Sequence, residues 1–516
     1  MRECLRSHVY SGADIHNPFR WNLLFSQKRT YHHMDQLINQ ILVLQKTTAV
    51  LEPDTTEREQ LIDSARKYAH QFLDALKHMP TYRQGAPASE VFKIDGERIE
   101  IDEALKIVQK GVVEYGINPA SGGHFGYIPG GGIYASSIGD YLAAVTNEYS
   151  GIQYASPGGA RMEDMVVEWM RDLFHFPKST VGTLVSGGSI ANLIGLTAAR
   201  DRHNVKGARI KKSVIYMSEQ VHHCVNKALR IIGLGDVLVR YIRLDKLHRM
   251  DPLQLEEQIL EDQKAGLLPY LVVASAGTTD TGAVDPLKSI GQIAIRHKLW
   301  YHIDGAYGGF FILAEAKKHL FEGIEMADSL VIDPHKSLFL PYGIAAVLVK
   351  DRDAVLQSNH YTANYMRDAY DHVDYLNASD ISPELTRHFR GLRMWLPLKL
   401  YGIEPFKACL EEKLLLLQYM RNKLVEMGFQ IGPEPDLSVT YFWYPTNEEN
   451  ENTFNEELLK YMHQDGRTYF SSTTLNGKFV IRVAIVSFRS KLVHADLGLE
   501  MIRKALERAK KNNIGP

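Results

Sequence analysis

The stretch WYHIDGAYGGFF, residues 300–311, is followed by VIDPHKSLFLPYG, residues 331–343, and these two stretches indicate the fold. One apolar run ends at Asp304, and a second apolar run ends shortly before Lys336. Each run is typical of a buried strand, and in an open α/β sheet ligands bind at the carboxyl ends of the strands. We therefore expect the carboxylate of Asp304 and the amine of Lys336 to meet in one crevice.

This pair of side chains suits a particular cofactor. Pyridoxal phosphate (PLP) binds covalently to a lysine amine and needs a carboxylate that keeps its ring nitrogen protonated. A lysine that acts as a nucleophile must be desolvated so that its amine is partly neutral. Lys336 and Asp304 fit these two roles. The alternative is a strand-capping Asp304 and a solvated Lys336, but their places at two strand ends favour the cofactor site.

The composition bounds the class of protein. The chain has 516 residues, 45% of them apolar, so it can bury a large core. Its formal net charge of -2 gives no electrostatic support for nucleic-acid binding. Its 3 cysteines are too dispersed for a disulfide framework or a CxxC metal site, and no apolar run of about 18 residues is present to span a bilayer. We expect a cytoplasmic protein that acts on a small molecule and binds no metal.

The N-terminal part of the chain falls into three segments. Residues 1–33 carry more basic than acidic side chains and lack the apolar stretch of a secretory signal, so we expect a disordered extension. From 34 to 116, apolar residues recur at three- and four-residue steps, which predicts amphipathic helices. Residues 117–135 are rich in glycine and aromatic residues, which predicts a shaped loop.

The segment VGTLVSGGSIANL, residues 181–193, combines a short apolar run, a turn of small residues and a helical pattern. Free backbone N–H groups and the helix dipole form an anion site where a helix begins. We predict that Gly187, Gly188 and Ser189 hold a phosphate. A simpler interpretation is that Ser189 only caps the helix.

Strand-like and helix-like segments alternate between residues 213 and 303. Such alternation predicts an α/β fold with a mostly parallel sheet and helices on both faces. Residues 396–516 instead combine helices with strands such as FVIRVAIV, residues 479–486, and predict a smaller α+β domain.

Further motifs, in a fixed order, precede HIDGAYGG and DPHKSLFLPYG. They are SGGSIANL at 186–193, SEQVHHCVNKA at 218–228 and AGTTDTGAVDPL at 276–287. Together the motifs resemble those of the group II PLP-dependent amino-acid decarboxylases, which include the aromatic amino-acid, glutamate and cysteine-sulfinate decarboxylases. The similarity is strongest from about Ile117 to Trp395.

The resemblance implies an architecture. It is the PLP-dependent transferase fold type I, with a large PLP-binding domain at 117–395 and a small C-terminal domain at 396–516. In this family the N-terminal helices, here at 34–116, pack across a homodimer whose subunits share their active sites.

The resemblance also implies roles for individual residues. The expected cofactor-binding residues are Gly187, Gly188, Ser189, His222, Thr278, Asp304, Ala306, His335 and Lys336. His222 would stack on the cofactor ring; the adjacent His223 is an alternative, but the SEQ-x-H spacing of the family favours His222.

Further roles concern the substrate. The family lines its substrate pocket with the glycine-rich loop, which implies contacts from His124, Phe125 and Tyr127. Arg482 lies within an apolar strand, where an unpaired guanidinium is costly, so it should meet a carboxylate. That carboxylate belongs either to the substrate, as in the family, or to an internal Asp or Glu.

A polar, tyrosine-rich segment follows Lys350. In the family a loop tyrosine here returns a proton after CO2 leaves, often in the neighbouring subunit's site. The candidates are Tyr361, Tyr365, Tyr370 and Tyr375. We choose Tyr375 and place it with Lys336, His222 and Asp304 as catalytic.

The predicted function is PLP-dependent decarboxylation of an L-amino acid to an amine and CO2. Residues 117–160 contain no Lys or Arg, which favours a neutral aromatic substrate over an acidic one. Alternatives are a PLP-dependent carbon–carbon lyase of the sphingosine-phosphate lyase kind, an aromatic aldehyde synthase, or a catalytically silent PLP-fold interaction protein.

Overall fold

The computed structural model describes residues 18–361, 375–447 and 451–512, and the side chains from residue 32 onward. These residues form two compact units. The first extends to Asp74 and includes Ile94–Ile107, and the second contains Ala75–Lys93 and the chain from Val108. None of the described helices is long and apolar enough to cross a membrane.

The first unit is helical. Its helices are α1 (Pro18–Thr48), α2 (Thr55–Ala75) and α3 (Ile101–Val108). Proline suits the first helical position, and α1 continues through residues 33 and 34 without a break. The expectation of a disordered extension up to residue 33 is therefore wrong from Pro18 onward.

The second unit contains a large sheet, a small sheet and a two-stranded ribbon. The ribbon pairs β1 (Tyr82–Arg83) with β2 (Gly116–Ile117). The strands of the large sheet are β3 (Val181–Val185), β4 (Ser213–Ser218), β5 (Leu238–Ile242), β6 (Leu268–Ser275), β7 (Trp300–Gly305), β8 (Ser329–Ile332) and β9 (Ala345–Val349). The strands of the small sheet are β10 (Gln430–Ile431), β11 (Val439–Trp443), β12 (Ser471–Leu475) and β13 (Lys478–Ala484).

Helices cover these sheets. They are α4 (Tyr134–Thr146), α5 (Pro157–Leu173), α6 (Gly188–Arg202), α7 (Cys224–Ile231), α8 (Pro252–Lys264), α9 (Leu287–His297), α10 (Pro334–Ser337), α11 (Arg352–Asn359), α12 (Gly391–Tyr401), α13 (Glu404–Glu426), α14 (Glu451–Asp465) and α15 (Leu492–Asn512). The predicted domain boundary between residues 395 and 396 falls inside α12.

The large sheet has the strand order β3-β9-β8-β7-β6-β4-β5. The strand β9 is antiparallel to both of its neighbours, and the other pairs are parallel. The predicted mostly parallel sheet is therefore confirmed. Alternation along β6 puts Val272 and Ala274 in one core and Leu271 and Val273 in another, so helices pack on both faces.

The small sheet is antiparallel, in the order β10-β11-β13-β12. Helices α13, α14 and α15 pack on it around a core that includes Met420, Leu458 and Ile502. The predicted smaller α+β domain is thus present.

Strand register determines where the polar side chains lie. Asp304, near the end of β7, is in register with Ser275 at the end of β6 and with Val331 of β8. One residue beyond the end of β8 is Asp333, and α10 then carries Lys336. Because β6, β7 and β8 are parallel, these residues emerge at the same edge of the sheet.

Candidate active site

A cavity of about 300 Å³ lies at this edge of the large sheet. Every residue predicted to bind the cofactor lines it, namely Gly187, Gly188, Ser189, His222, Thr278, Asp304, Ala306, His335 and Lys336. Residues that follow five different strands thus converge on one space. The cavity is therefore the candidate active site.

Lys336 is held by a carboxylate that sequence reasoning missed. Its Nζ lies 2.9 Å from Oδ2 of Asp333, which is 1% exposed. Burial favours the neutral amine, but the charges of Asp333 and Asp304 outweigh burial, so the pKa of Lys336 lies above its ordinary value. The expected partly neutral amine is therefore wrong for this state of the protein. The signal for Asp333 was its place directly after the apolar run of β8.

Asp304 is buried and receives two hydrogen bonds. The backbone N–H of Ala306 donates to its Oδ1 at 3.1 Å, and Nδ2 of Asn192 donates to its Oδ2 at 3.3 Å. Donors to a carboxylate favour its charged form. Asp304 therefore presents a hydrogen-bonded carboxylate to the cavity, as a protonated ring nitrogen requires.

The two adjacent histidines differ in position. His222 lines the cavity and is half-buried, whereas His223 is exposed. Burial lowers the pKa of His222, and the backbone N–H of Cys224 donates to its Nδ1 at 3.3 Å. A neutral, flat imidazole of this kind is suited to packing on an aromatic ring. The structure thus brings His222, and not His223, to the cavity.

The start of α6 lies on the cavity wall, where the anion cradle was predicted. The first N–H groups of a helix have no acceptor within the helix, and those of α6 begin at Gly188 on the cavity wall. A Cβ on Gly188 would lie 2.9 Å from Oδ2 of Asp333 and 3.3 Å from Cβ of Ala306. A side chain at this position would therefore displace either the start of α6 or the carboxylate of Asp333.

His335 and Thr278 are held firmly at the cavity wall. Nδ1 of His335 donates to the carbonyl of Ile344, and burial lowers the pKa of this histidine. The hydroxyl of Thr278 accepts from the N–H of Ala283 at 3.1 Å and lies 2.8 Å from the hydroxyl of Thr281. Both side chains are thus held in place by hydrogen bonds within the protein.

The glycine-rich loop packs on α10 through its backbone, and its three predicted side chains do not line the cavity. A Cβ on Gly130 would lie 2.2 Å from the carbonyl oxygen of His335, so this loop packs directly against α10. Phe125 is 1% exposed and packs on Phe470 in the core of the small domain. The predicted substrate contact of Phe125 is wrong, because its N–H and C=O pair with Tyr469 and Ala484 and turn its ring inward.

The two other predicted loop residues also lie outside the cavity lining. The ring of Tyr127 stacks on Tyr469 at 5.9 Å, and His124 meets the same ring edge-on at 5.8 Å. Burial lowers the pKa of His124 to about 4, and both of its ring nitrogens lack a partner among the described residues. His124 and Tyr127 thus belong to an aromatic cluster around Tyr469.

Arg482 has no carboxylate partner among the described residues. Its Nε donates to the carbonyl of Asp280 at 3.0 Å, and its Nη2 donates to the carbonyl of Thr279. Its Nη1 donates to the hydroxyl of Ser471 at 2.8 Å. The expected ion pair is therefore replaced by hydrogen bonds to the loop that carries Thr278, and Arg482 lies behind the cavity wall.

Of the candidate tyrosines, neither Tyr361 nor Tyr375 lines this cavity. Tyr375 donates a hydrogen bond to Asp164 and lines a separate cavity of about 190 Å³. Tyr361 is 84% exposed. Tyr365 and Tyr370 lie outside the described residues. Within its own chain, Tyr375 is therefore not placed beside Lys336.

The donor set fits PLP. The start of α6 offers N–H groups for a phosphate, Asp304 offers an acceptor for a ring N–H, and Lys336 offers an amine. Among the described residues, no group of three or more His, Cys, Asp or Glu side chains is arranged to hold a metal ion.

Comparisons with known proteins agree with this chemistry. Residues 94–445 match the pyridoxal-dependent decarboxylase conserved domain. The chain is 29% identical to an aromatic-L-amino-acid decarboxylase of Bacillus atrophaeus, over 83% of this chain and 92% of that protein. It is 30% identical to a phenylacetaldehyde synthase of Arabidopsis thaliana, over 75% of this chain and 82% of that protein.

Solved structures show the same fold. The crystal structure of Oryza sativa TDC with PLP and tryptamine has a TM-score of 0.84 and 24% identity, covering 89% of this chain and 99% of that chain. The crystal structure of mouse CSAD has a TM-score of 0.79 and 22% identity, covering 88% and 99%. The predicted fold type is thus confirmed. The chain belongs to the pyridoxal-dependent decarboxylase family and is a PLP-dependent carboxy-lyase.

Proposed function

We propose that this protein removes the α-carboxylate of an aromatic L-amino acid and releases the corresponding amine and CO2. The observation that supports this most strongly is the convergence of Lys336, Asp304 and His222 on one buried cavity. PLP, when bound, supplies an electron sink for the electron pair that remains after carboxylate loss.

The side chains of the cavity divide the remaining work. Lys336 supplies the amine that binds the cofactor, and it must first give up the proton that Asp333 and Asp304 stabilise. Asp304 would accept the hydrogen bond of the cofactor's ring nitrogen, and the N–H groups at the start of α6 would hold its phosphate. His222 would pack against the ring.

The lining of the cavity supports a neutral substrate side chain. Among the described residues that line it, Lys336 is the sole Lys or Arg, and Tyr307 and Tyr342 supply aromatic surface. An acidic substrate would need a further cation. Relatives named tryptophan decarboxylase and tyrosine decarboxylase, at 28% and 29% identity, also favour an aromatic amino acid.

The proposed active unit is a homodimer. The helix α4 exposes Ile138, Tyr141, Leu142 and Val145, at 39%, 50%, 40% and 64%, and their spacing forms one apolar stripe. A second copy of the chain is the partner that we propose for this stripe. In the dimer, a loop tyrosine returns the proton in the neighbouring subunit's site. Tyr375 is the tyrosine that we propose for this role.

Light scattering tests the dimer. We expect Leu142→Glu to produce monomers, whereas Leu253→Glu, at an isolated site that is 73% exposed on α8, should leave the mass unchanged. A wild-type protein that is monomeric contradicts the proposal. We also propose a cytoplasmic location, which suits the free thiols of Cys224 and Cys409.

The substrate is tested with purified protein and added PLP. Tryptophan, tyrosine, phenylalanine and dihydroxyphenylalanine are incubated with it, and CO2, amine, aldehyde, ammonia and peroxide are measured. We expect CO2 and amine in equal amounts. The variant Lys336→Ala should abolish both, and Lys211→Ala, at an exposed lysine, should not.

The similarity to aldehyde synthases supports a second function, the formation of an aldehyde from the same amino acid. The chain resembles aldehyde synthases as closely as decarboxylases. Aldehyde with ammonia and peroxide in place of amine identifies that activity. Absence of CO2 from every aromatic amino acid contradicts both functions and favours carbon–carbon lyase chemistry, tested by cleavage of a phosphorylated long-chain base.

A further inference from the structure

Behind Asp304, a row of buried polar side chains extends away from the cavity. The indole Nε1 of Trp300 lies 2.8 Å from Oγ of Ser329, which lies 2.7 Å from Nδ1 of His302. Nε2 of His302 lies 2.8 Å from Oδ1 of Asn192, and Nδ2 of Asn192 lies 3.3 Å from Oδ2 of Asp304. Ser329, His302 and Asn192 are each 0% exposed.

Trp300, the first member of the row, determines which groups along it donate hydrogen bonds and which accept them. An indole N–H can only donate, so the hydroxyl oxygen of Ser329 accepts from Trp300. The single hydroxyl proton of Ser329 is then available to Nδ1 of His302. Burial lowers the pKa of His302 to about 4, so the ring is neutral at pH 7 and carries its proton on Nε2. His302 therefore donates to Oδ1 of Asn192.

Asn192, at the other end of the row, independently indicates the same donors and acceptors. Nδ2 of Asn192 also lies 2.9 Å from the carbonyl oxygen of Gly188, which can only accept. The amide group of Asn192 thus has its oxygen toward His302 and its nitrogen toward Gly188 and Asp304. A reversed amide would place its oxygen against both the Asp304 carboxylate and the Gly188 carbonyl.

The imidazole of His302 is closely packed on all the sides that its neighbours in α6 and β8 form. A Cβ on Gly195, one turn of α6 beyond Asn192, would lie 2.9 Å from Cε1 of His302 and 3.2 Å from Oγ of Ser329. The ring of His302 is therefore confined between α6 and β8. Confinement keeps both ring nitrogens on their partners.

We propose that Ser329, His302 and Asn192 are positioning residues, which hold an N–H group on Oδ2 of Asp304 and so fix the orientation of this carboxylate toward the cofactor's ring nitrogen. The inference rests on the proposed role of Asp304. It extends the cofactor site by Ser329 and His302, which lie behind the cavity lining, and it assigns an orientation to Asn192, which is part of that lining. The donor-only indole of Trp300 orients Ser329, and the acceptor-only carbonyl of Gly188 orients Asn192.

Neutron diffraction of the deuterium-exchanged holoenzyme tests the direction. We expect a deuteron on Nε2 of His302, none on Nδ1, and an amide nitrogen of Asn192 that faces Asp304. A deuteron on Nδ1 alone, or a doubly protonated ring, overturns the proposal. This measurement needs no variant, so it does not depend on the folding of a mutant.

A matched pair of serine variants tests the consequence. In Ser329→Ala, His302 loses the donor that selects its tautomer, so we expect the dissociation constant of PLP to rise about threefold to tenfold and the visible absorption band of the bound cofactor to shift. Ser213→Ala removes an equally buried hydroxyl, bonded to the carbonyl of Arg209, at the opposite end of the same sheet. It should change neither quantity.

The outcomes separate two failures. Unchanged PLP affinity and absorption in Ser329→Ala, with Asp304→Asn strongly impaired, overturn the positioning role alone. Unchanged PLP affinity in Asp304→Asn overturns the proposed role of Asp304 and the positioning role with it. Equal effects in Ser329→Ala and Ser213→Ala also overturn the positioning role, because they show a general loss of stability.

Discussion

The ammonium group of Lys336 lies 2.9 Å from the carboxylate of Asp333, three residues earlier in the chain. Lys336 carries its amine into a buried cavity where desolvation alone would favour the neutral form. The two carboxylates Asp333 and Asp304 reverse that preference. The ion pair with Asp333 therefore favours the charged form of this lysine.

Replacing Asp333 with asparagine should release Lys336. The substitution keeps the size of the side chain and removes one negative charge, so the pKa of Lys336 should fall. The neutral amine then forms at lower pH. The rate at which the apoprotein incorporates PLP, measured against pH, should show its midpoint at lower pH than in the wild type. The control is Asp236→Asn, at an exposed carboxylate. If the wild type, Asp333→Asn and Asp236→Asn share one midpoint, Asp333 does not determine the pKa of Lys336.

A methyl group on Gly188 should disrupt the anion cradle. The Cβ of Gly188→Ala would meet Oδ2 of Asp333 at 2.9 Å, so the start of α6 has to shift. We expect weaker PLP binding, by about tenfold or more, for a cost of about 1–3 kcal/mol typical of overpacking. Fluorescence titration with PLP measures it. Gly158→Ala, where no atom lies within 4 Å of the added Cβ, should bind PLP normally. Normal binding by Gly188→Ala argues against a phosphate at this helix start.

Replacing His124 with phenylalanine should stabilise the protein in mild acid. The pKa of His124 is about 4 in the folded protein, below the ordinary 6.5, so the folded state binds fewer protons than the unfolded state between these values. Stability is therefore lost as pH falls from about 6.5 to about 4, by about 3 kcal/mol in full. The phenylalanine variant lacks this loss, so its melting temperature should exceed that of the wild type by more at pH 5 than at pH 7.5.

The control for this comparison is His319→Phe, at an exposed histidine. It should show no pH-dependent difference in melting temperature from the wild type. A His124→Phe difference that is the same at both pH values would mean that His124 is not held neutral. Activity with aromatic amino acids, measured on the same variant, tests whether His124 also contacts substrate.

Tyr375→Phe separates two roles for this tyrosine. The variant loses the hydrogen bond to Asp164, which should lower stability by about 1–2 kcal/mol, and PLP affinity should be unchanged because Tyr375 lies outside the cofactor cavity. Thermal melting and PLP titration check these expectations. If amine formation falls while PLP affinity is unchanged, Tyr375 acts on the proton-return step from the neighbouring subunit. Unchanged amine formation removes it from the catalytic residues.

The strand-end residues were predictable from local patterns. Asp304 and Lys336 each follow an apolar run, and a parallel sheet carries such ends to one edge whatever the details of packing. The turn before α6 was predictable for a similar reason, because small residues followed by a helical pattern form an anion site in many contexts.

The loop residues were not predictable in this way. Phe125 lies in a glycine-rich loop without periodicity, and its inward direction is decided by hydrogen bonds to Tyr469 and Ala484, more than 300 residues away in the chain. Arg482 was correctly expected to need partners, but two backbone carbonyls and a hydroxyl, rather than a carboxylate, satisfy it.

The sequence by itself determined the family, the sheet and the position of Asp304 and Lys336 at its carboxyl edge, because hydrophobic periodicity and short motifs can be recognised from the residues of each segment alone. Only the tertiary structure decided the protonation of Lys336 and the orientation of Asn192. Both depend on partners brought close by folding: the charges of Asp333 and Asp304 around one amine, and His302, 110 residues from Asn192 in the chain. Electrostatic and hydrogen-bond energies depend on distance in space, which local sequence patterns do not specify.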